Sequence, residues 1–154
     1  MAEKVKPVPE GFHTATPYLI AKGAADAIEF YKQAFGAIEL ERLVDESGSV
    51  RHAAIKIGDS PFMITDESPD YPEWLSQVSL GGSPVHIYLY VPDADAVFDQ
   101  AIAAGAKQLL PMRDQFYGDR SGGVTDPFGH VWYIAIRIKN ISPEDLAKHM
   151  AAQH

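Results

Sequence analysis

The chain contains the same structural sentence twice. Residues 17–40 (PYLIAKGAADAIEFYKQAFGAIEL) and 86–110 (HIYLYVPDADAVFDQAIAAGAKQLL) both read as an apolar strand, a short loop, an amphipathic helix, a glycine and a new strand. Such a repeat limits the architecture before any element is assigned, because two copies of one supersecondary unit bury equivalent faces. In the first copy Ala24, Ala27, Ile28, Tyr31 and Phe35 keep helical spacing, and in the second Ala94, Val97, Ala101 and Ile102 do. Gly36 and Gly105 stop the two helices, where a left-handed residue ends a helix at low cost.

Strands follow each helix on one plan. In the first half they fall at 38–44, 50–57 and 61–66, and in the second at 107–111, 122–125 and 130–138. Turn chemistry separates them: Asp45-Glu46-Ser47-Gly48, Gly58-Asp59-Ser60 and Asp126-Pro127-Phe128-Gly129. Each half therefore reads as βαβββ, over 13–67 and 84–138, making one α+β domain of two modules. Residues 1–12 form a tail, and 68–83, with prolines and paired glycines but no period, a linker. Within 139–154, Ser142-Pro143-Glu144-Asp145 starts a C-terminal helix over 143–152.

Composition removes several function classes. The 154 residues carry 13 Lys+Arg against 21 Asp+Glu, and the scattered bases cannot neutralise a row of phosphates, so nucleic acid is not an expected partner. No run approaches the ~20 apolar residues that span a bilayer, and the N-terminus has no apolar leader, which predicts a cytoplasmic protein without membrane contact. With no cysteine, a metal would have to use His, carboxylate, Tyr or water. There is no GxxxxGK[ST] loop and no Gly-x-Ser-x-Gly elbow.

The pairing of PYLI…AIEFYKQAFGA with YVPDADAVFDQAIAAGAK and DPFGHVWYIA resembles the vicinal oxygen chelate superfamily, the glyoxalase and bleomycin-resistance fold. The string FYGDR…DPFGHVW is most similar to its PhnB-like members. That resemblance, over about 13–138, implies curled mixed sheets around a cavity, often completed by dimerisation. It also implies enzymes with a divalent metal (zinc, nickel, manganese or iron) on the first and last strands of each module. Those ligand positions fall on His86 and Tyr133 in the second module, and on Thr16 and Met63 or Ile64 in the first. One imidazole does not make a three-ligand centre, and the His–His–Glu set of a ring-cleaving dioxygenase is missing. A displaced site could use His52 and Asp66, which the 58–60 hairpin is expected to set opposite each other. The alternative for that pair is a cross-strand contact at a sheet rim.

Period two puts His86, Tyr88 and Tyr90 on one strand face and Ile87 and Leu89 on the other. On the last strand of the same module, Tyr133 is expected beside His86, while Trp132 reads as core. Loop 114–123 (DQFYGDRSGG) has the composition of a mobile flap, with Arg120 facing an anionic ligand or pairing with Asp119 or Asp126. His86 is either the polar focus of the cavity or a half-buried histidine bonded to a backbone carbonyl. His13, His130, His149 and His154 are expected in solvent. These residues favour a binder of a small, partly aromatic or anionic molecule through His86, Tyr88, Tyr133, Tyr90, Arg120 and Thr16. A metal-dependent lyase or isomerase is the alternative. A homodimer is expected, with Tyr71, Trp74 and the C-terminal helix as candidate covers for open sheet edges.

Overall fold

A computed structural model describes residues 5–152, leaving His154 outside the described residues. The chain divides into two compact units between Gly82 and Ser83. In the first, β1 (Tyr18–Ala21) leads into α1 (Ala24–Phe35), followed by β2 (Ile38–Val44), β3 (Val50–Ile57) and β4 (Ser60–Asp66). In the second, β5 (Ile87–Tyr90) leads into α3 (Ala94–Ala104), then β6 (Lys107–Asp114), β7 (Asp119–Thr125) and β8 (Val131–Arg137), with α4 (Pro143–Ala152) at the end. The sheets share one topology, β1-β4-β3-β2 and β5-β8-β7-β6, in which only the first and last strands of each unit run parallel. The fold is thus α+β, two βαβββ units with open four-stranded mixed sheets.

One face of each sheet is closed by its helix. In the first unit Ala24, Ala27, Ile28, Tyr31 and Ala34 of α1 are buried together with Ile55 and Ile64. In the second, the stripe passes through Ala94, Phe98 and Ala101, above Val124, Trp132 and Ile134. Ile102 was expected in that stripe and is exposed instead, because Phe98 at i+4 from Ala94 fills the sheet contact. Positive φ ends both helices, at Gly36 and Gly105.

Three features depart from the sequence reading. The expected linker is not featureless: it groups with the first unit and contains a short helix, α2 (Gln77–Leu80), capped by the buried Ser76 side chain. The Glu67 carboxylate accepts from Ser76 N at 2.6 Å and seats this segment. Serine donors around it hold Glu67 down at about 2. Nor is 114–123 a flap, since β6 and β7 extend through it and leave only the turn at 115–118. Its glycines pack inside a strand: a Cβ on Gly122 would lie 2.9 Å from Phe98 and Met112 atoms, and one on Gly123 would lie 3.1 Å from the Tyr133 ring. Only glycine lets a helix and a ring approach β7 from opposite sides.

His130 is the third correction, being buried rather than solvated. It closes the Asp126-Pro127-Phe128-Gly129 turn, whose centre is the buried Asp126 carboxylate. Asp126 Oδ1 accepts from Phe128 N at 2.8 Å and His130 N at 3.0 Å, and Oδ2 from Trp132 Nε1 at 2.8 Å. Asp126→Ala would strand these three donors and should lower stability by about 2–4 kcal/mol in urea unfolding. Asp126→Asn, which keeps an acceptor, should lose less. An unchanged midpoint for the alanine variant would show that the turn stands without its carboxylate.

Candidate functional site

The open face of the second sheet carries a run of four rings. Residues two apart on β5 point the same way, and parallel register sets Tyr88 beside Tyr133 of β8. His86, just before β5, lies with its ring centroid 5.6 Å from that of Tyr133. Tyr133 stacks on Tyr88 at 5.9 Å and 25°, and Tyr88 tilts against Tyr90 at 5.2 Å. Tyr88 is 40% exposed and Tyr90 58%, so this is a surface rather than a core stripe. Leu89 and Trp132, in the opposite phase, are buried under α3 as the alternation requires.

A carboxylate fixes two of the rings. Asp119, at the start of β7 and 1% exposed, accepts at Oδ2 from the Tyr88 and Tyr90 hydroxyls, both at 2.8 Å. Its Oδ1 accepts from Arg137 Nε at 2.7 Å. Burial pushes the Asp119 carboxyl up, but the two phenols and the guanidinium together outweigh it and hold the group below its usual range. For Tyr88, burial and then the bond to ionised Asp119 push the phenol well above its ordinary value, so it stays neutral. The tips of Tyr88 and Tyr90 are therefore engaged, and these residues offer ring faces. Among the described residues, the His86 imidazole and the Tyr133 hydroxyl have no hydrogen-bond partner. They are the available polar handles at this end of the row.

Other candidates lie elsewhere. Arg120 is in the alternate phase of β7 and turns toward α3, where it pairs with Asp95 through Nε and Nη2 and with Asp114 through Nη1 at 3.0 Å. Neither Asp119 nor Asp126 is its partner; Asp95 and Asp114 hold its guanidinium off the ring-lined face. His86 itself is exposed, not a half-buried residue. In the first unit His52 and Asp66 do not pair. His52 Nδ1 meets the Tyr18 hydroxyl at 2.9 Å and Nε2 meets Glu41 Oε1 at 3.0 Å. Asp66 is instead taken up by backbone, accepting from Gly23 N and Ala24 N at the start of α1 and from Val50 N of β3. Thr16 precedes β1 and is partly exposed.

These positions do not fit the divalent centre that the sequence resemblance implies. His86 is joined in its unit by a phenol rather than a carboxylate, and Asp119 spends both oxygens on protein donors. No group of three or more His, Cys, Asp or Glu able to hold a metal occurs among the described residues.

Sequence reasoning placed the rings but missed their anchor. In sequence Asp119 reads as a partner for its neighbour Arg120, but alternation along β7 separates the two. The depressed Asp119 carboxyl contributes stability above the ordinary carboxylate range, which is lost as pH falls through its folded value. Asp119→Asn should therefore cost about 1–3 kcal/mol near pH 7 and lose less than the parent as pH falls below the ordinary carboxylate range in urea titrations. Equal acid sensitivity of the two proteins would contradict this assignment.

Comparison with known proteins agrees with the fold. Residues 12–134 match the model of the Glyoxalase/Bleomycin resistance protein/Dioxygenase superfamily. An uncharacterized protein of Mycobacterium tuberculosis is 39% identical over 140 residues, covering 90% of this chain and 82% of that protein. A gene product of Arabidopsis thaliana, solved by X-ray methods, superposes with a TM-score of 0.64 at 31% identity over 80% of this chain and 98% of its own. A PhnB protein from Bacillus cereus gives a TM-score of 0.61 at 19% identity, over 82% of this chain and 100% of that one, a likeness of fold. The repeated βαβββ unit, the identity shared with the mycobacterial relative and the span of the family match lead to one conclusion: the chain belongs to the Glyoxalase/Bleomycin resistance protein/Dioxygenase superfamily.

Proposed function

We propose that this chain binds a small, partly aromatic or anionic molecule on the ring-lined face of its second sheet, without a standard metal centre. The observation that carries this reading is the row of exposed His86, Tyr88 and Tyr90 with half-buried Tyr133 between them, over a buried carboxylate. Phenols whose hydroxyls are already bonded to Asp119 present fixed faces for stacking, and fixed faces lose little side-chain entropy on binding. His86 and the Tyr133 hydroxyl then supply direction. The imidazole as a cation or donor meets an anionic group, and the phenol a second polar atom of the same ligand.

A homodimer belongs to the same proposal. Ile38, Leu40, Leu43 and Val44 of the edge strand β2, and Leu109 and Leu110 of the edge strand β6, are exposed, and natural sheets seldom leave such edges open. Light scattering should give about twice the 16.9 kDa chain mass, and the chain mass itself would refute it.

The test of the binding reading is a screen of small aromatic acids by calorimetry, repeated on His86→Ala. The variant should weaken any ligand found by about 1–3 kcal/mol, roughly 5- to 150-fold, with the unfolding midpoint unchanged. Elemental analysis of purified protein separates the alternative: near-stoichiometric zinc, nickel, manganese or iron would favour the metal-dependent lyase or isomerase and overturn a metal-free binder.

A further inference from the structure

The first unit has its own cavity, apart from the ring row just described. It encloses about 200 Å³ and is lined by Tyr18, Arg51, Thr65, Asp66, Tyr71 and Trp74 together with Ser68. The walls are held from several directions. Tyr18 meets Trp74 edge-on at 5.4 Å, and Trp74 tilts against Tyr71 at 5.8 Å. The Tyr18 hydroxyl is tied to His52, which Glu41 holds from its other nitrogen. Tyr71 and Trp74 lie in the connecting segment, which turns twice through Tyr71 N to Ser68 O and Trp74 N to Tyr71 O, both 3.0 Å. The Glu67–Ser76 bond then closes the segment down.

The polar lining is asymmetric in a way that selects charge. The Asp66 carboxylate is already answered by three backbone N–H groups, two of them at a helix N-terminus. Thr65 Oγ1 donates to carbonyls of β3. Arg51, in contrast, lies 5.7 Å over the Tyr71 ring, and its nearest carboxylate among the described residues is Asp45 at 3.9 Å, so most of its N–H fork is unspent. A cation entering here would meet that guanidinium, whereas a carboxylate would meet its bidentate geometry.

We infer that this cavity is a second binding site, for a planar aromatic carboxylate whose ring lies against Trp74 and Tyr18 and whose charge is taken by Arg51. Its volume is below the ~300–1,000 Å³ of sites for drug-sized ligands, which limits the occupant to one or two rings. The site lies wholly in the first unit and does not depend on His86.

The chain has two tryptophans, Trp74 at this cavity and the buried Trp132. Their indole N–H signals in a ¹⁵N-labelled protein therefore give a local reporter and an internal control. Titration with 2-naphthoate should shift the Trp74 signal saturably and leave Trp132 in place. Arg51→Met should weaken that binding at least fivefold, Arg51→Lys should weaken it less, and Arg113→Met on β6 should not change it. The uncharged 2-naphthamide should bind at least fivefold more weakly than the acid. A silent Trp74 signal, an amide that binds as well as the acid, or a preference for 2-naphthylmethylammonium would each overturn the inference. Unchanged Trp132 and urea midpoints in the Arg51 variants establish that lost binding is not lost folding.

Discussion

Parallel pairing of the first and last strands is the constraint on which each unit rests. A chain cannot place β4 parallel to β1, or β8 parallel to β5, by tight turns alone; it needs a crossover, and α1 or α3 supplies it. The crossover covers one face of the sheet and consumes the apolar phase of the strands beneath it, as Leu89, Val124, Trp132 and Ile134 show. The other phase is then available for chemistry. That His86, Tyr88, Tyr90 and Tyr133 lie together follows from this division and the parallel register, more than from any attraction among the rings.

The two units use one topology for different ends. Tyr18 and Tyr88 hold equivalent places, each on a first strand and paired across the parallel ladder with Met63 or Tyr133. The Tyr88 hydroxyl donates a hydrogen bond to a buried carboxylate, and the Tyr18 hydroxyl bonds to an imidazole that in turn rests on Glu41. In the second unit the phenol becomes part of a rigid stacking surface. In the first it walls a pocket whose far side is not sheet at all but the connecting segment. The two units share one frame and differ in the donors and acceptors on their open faces.

What could be read from sequence followed from periodicity. The helices, the strands at 38–44 and 50–57 and the start of α4 depend on local pattern and caps, and the bounds agree with the structure. The Tyr133–His86 contact was also legible, since it needs only strand phase and the position of the last strand. Where the reading failed, a distant partner decided the outcome. Gly122 and Gly123 look like a flap until Phe98 and the Tyr133 ring are known to press on them from either side. Arg120 looks like an anion receptor until its strand phase turns it to Asp95 on α3. The sequence shows that residues 67–83 lack a period, but not that Glu67 pins Ser76 and makes Tyr71 and Trp74 a wall.

Asp66 connects the end of β4 to the beginning of α1, 42 residues back, and to Val50 N, 16 residues back. A contact spanning so much chain forms late, because the loop it closes costs entropy until the hairpin and the parallel pair are in place. The first turn of α1 therefore has no side-chain cap of its own and borrows one that exists only in the assembled unit. Amide exchange at Gly23 and Ala24 thus works as a clock on assembly: protection there reports closure of the whole first unit rather than formation of a helix.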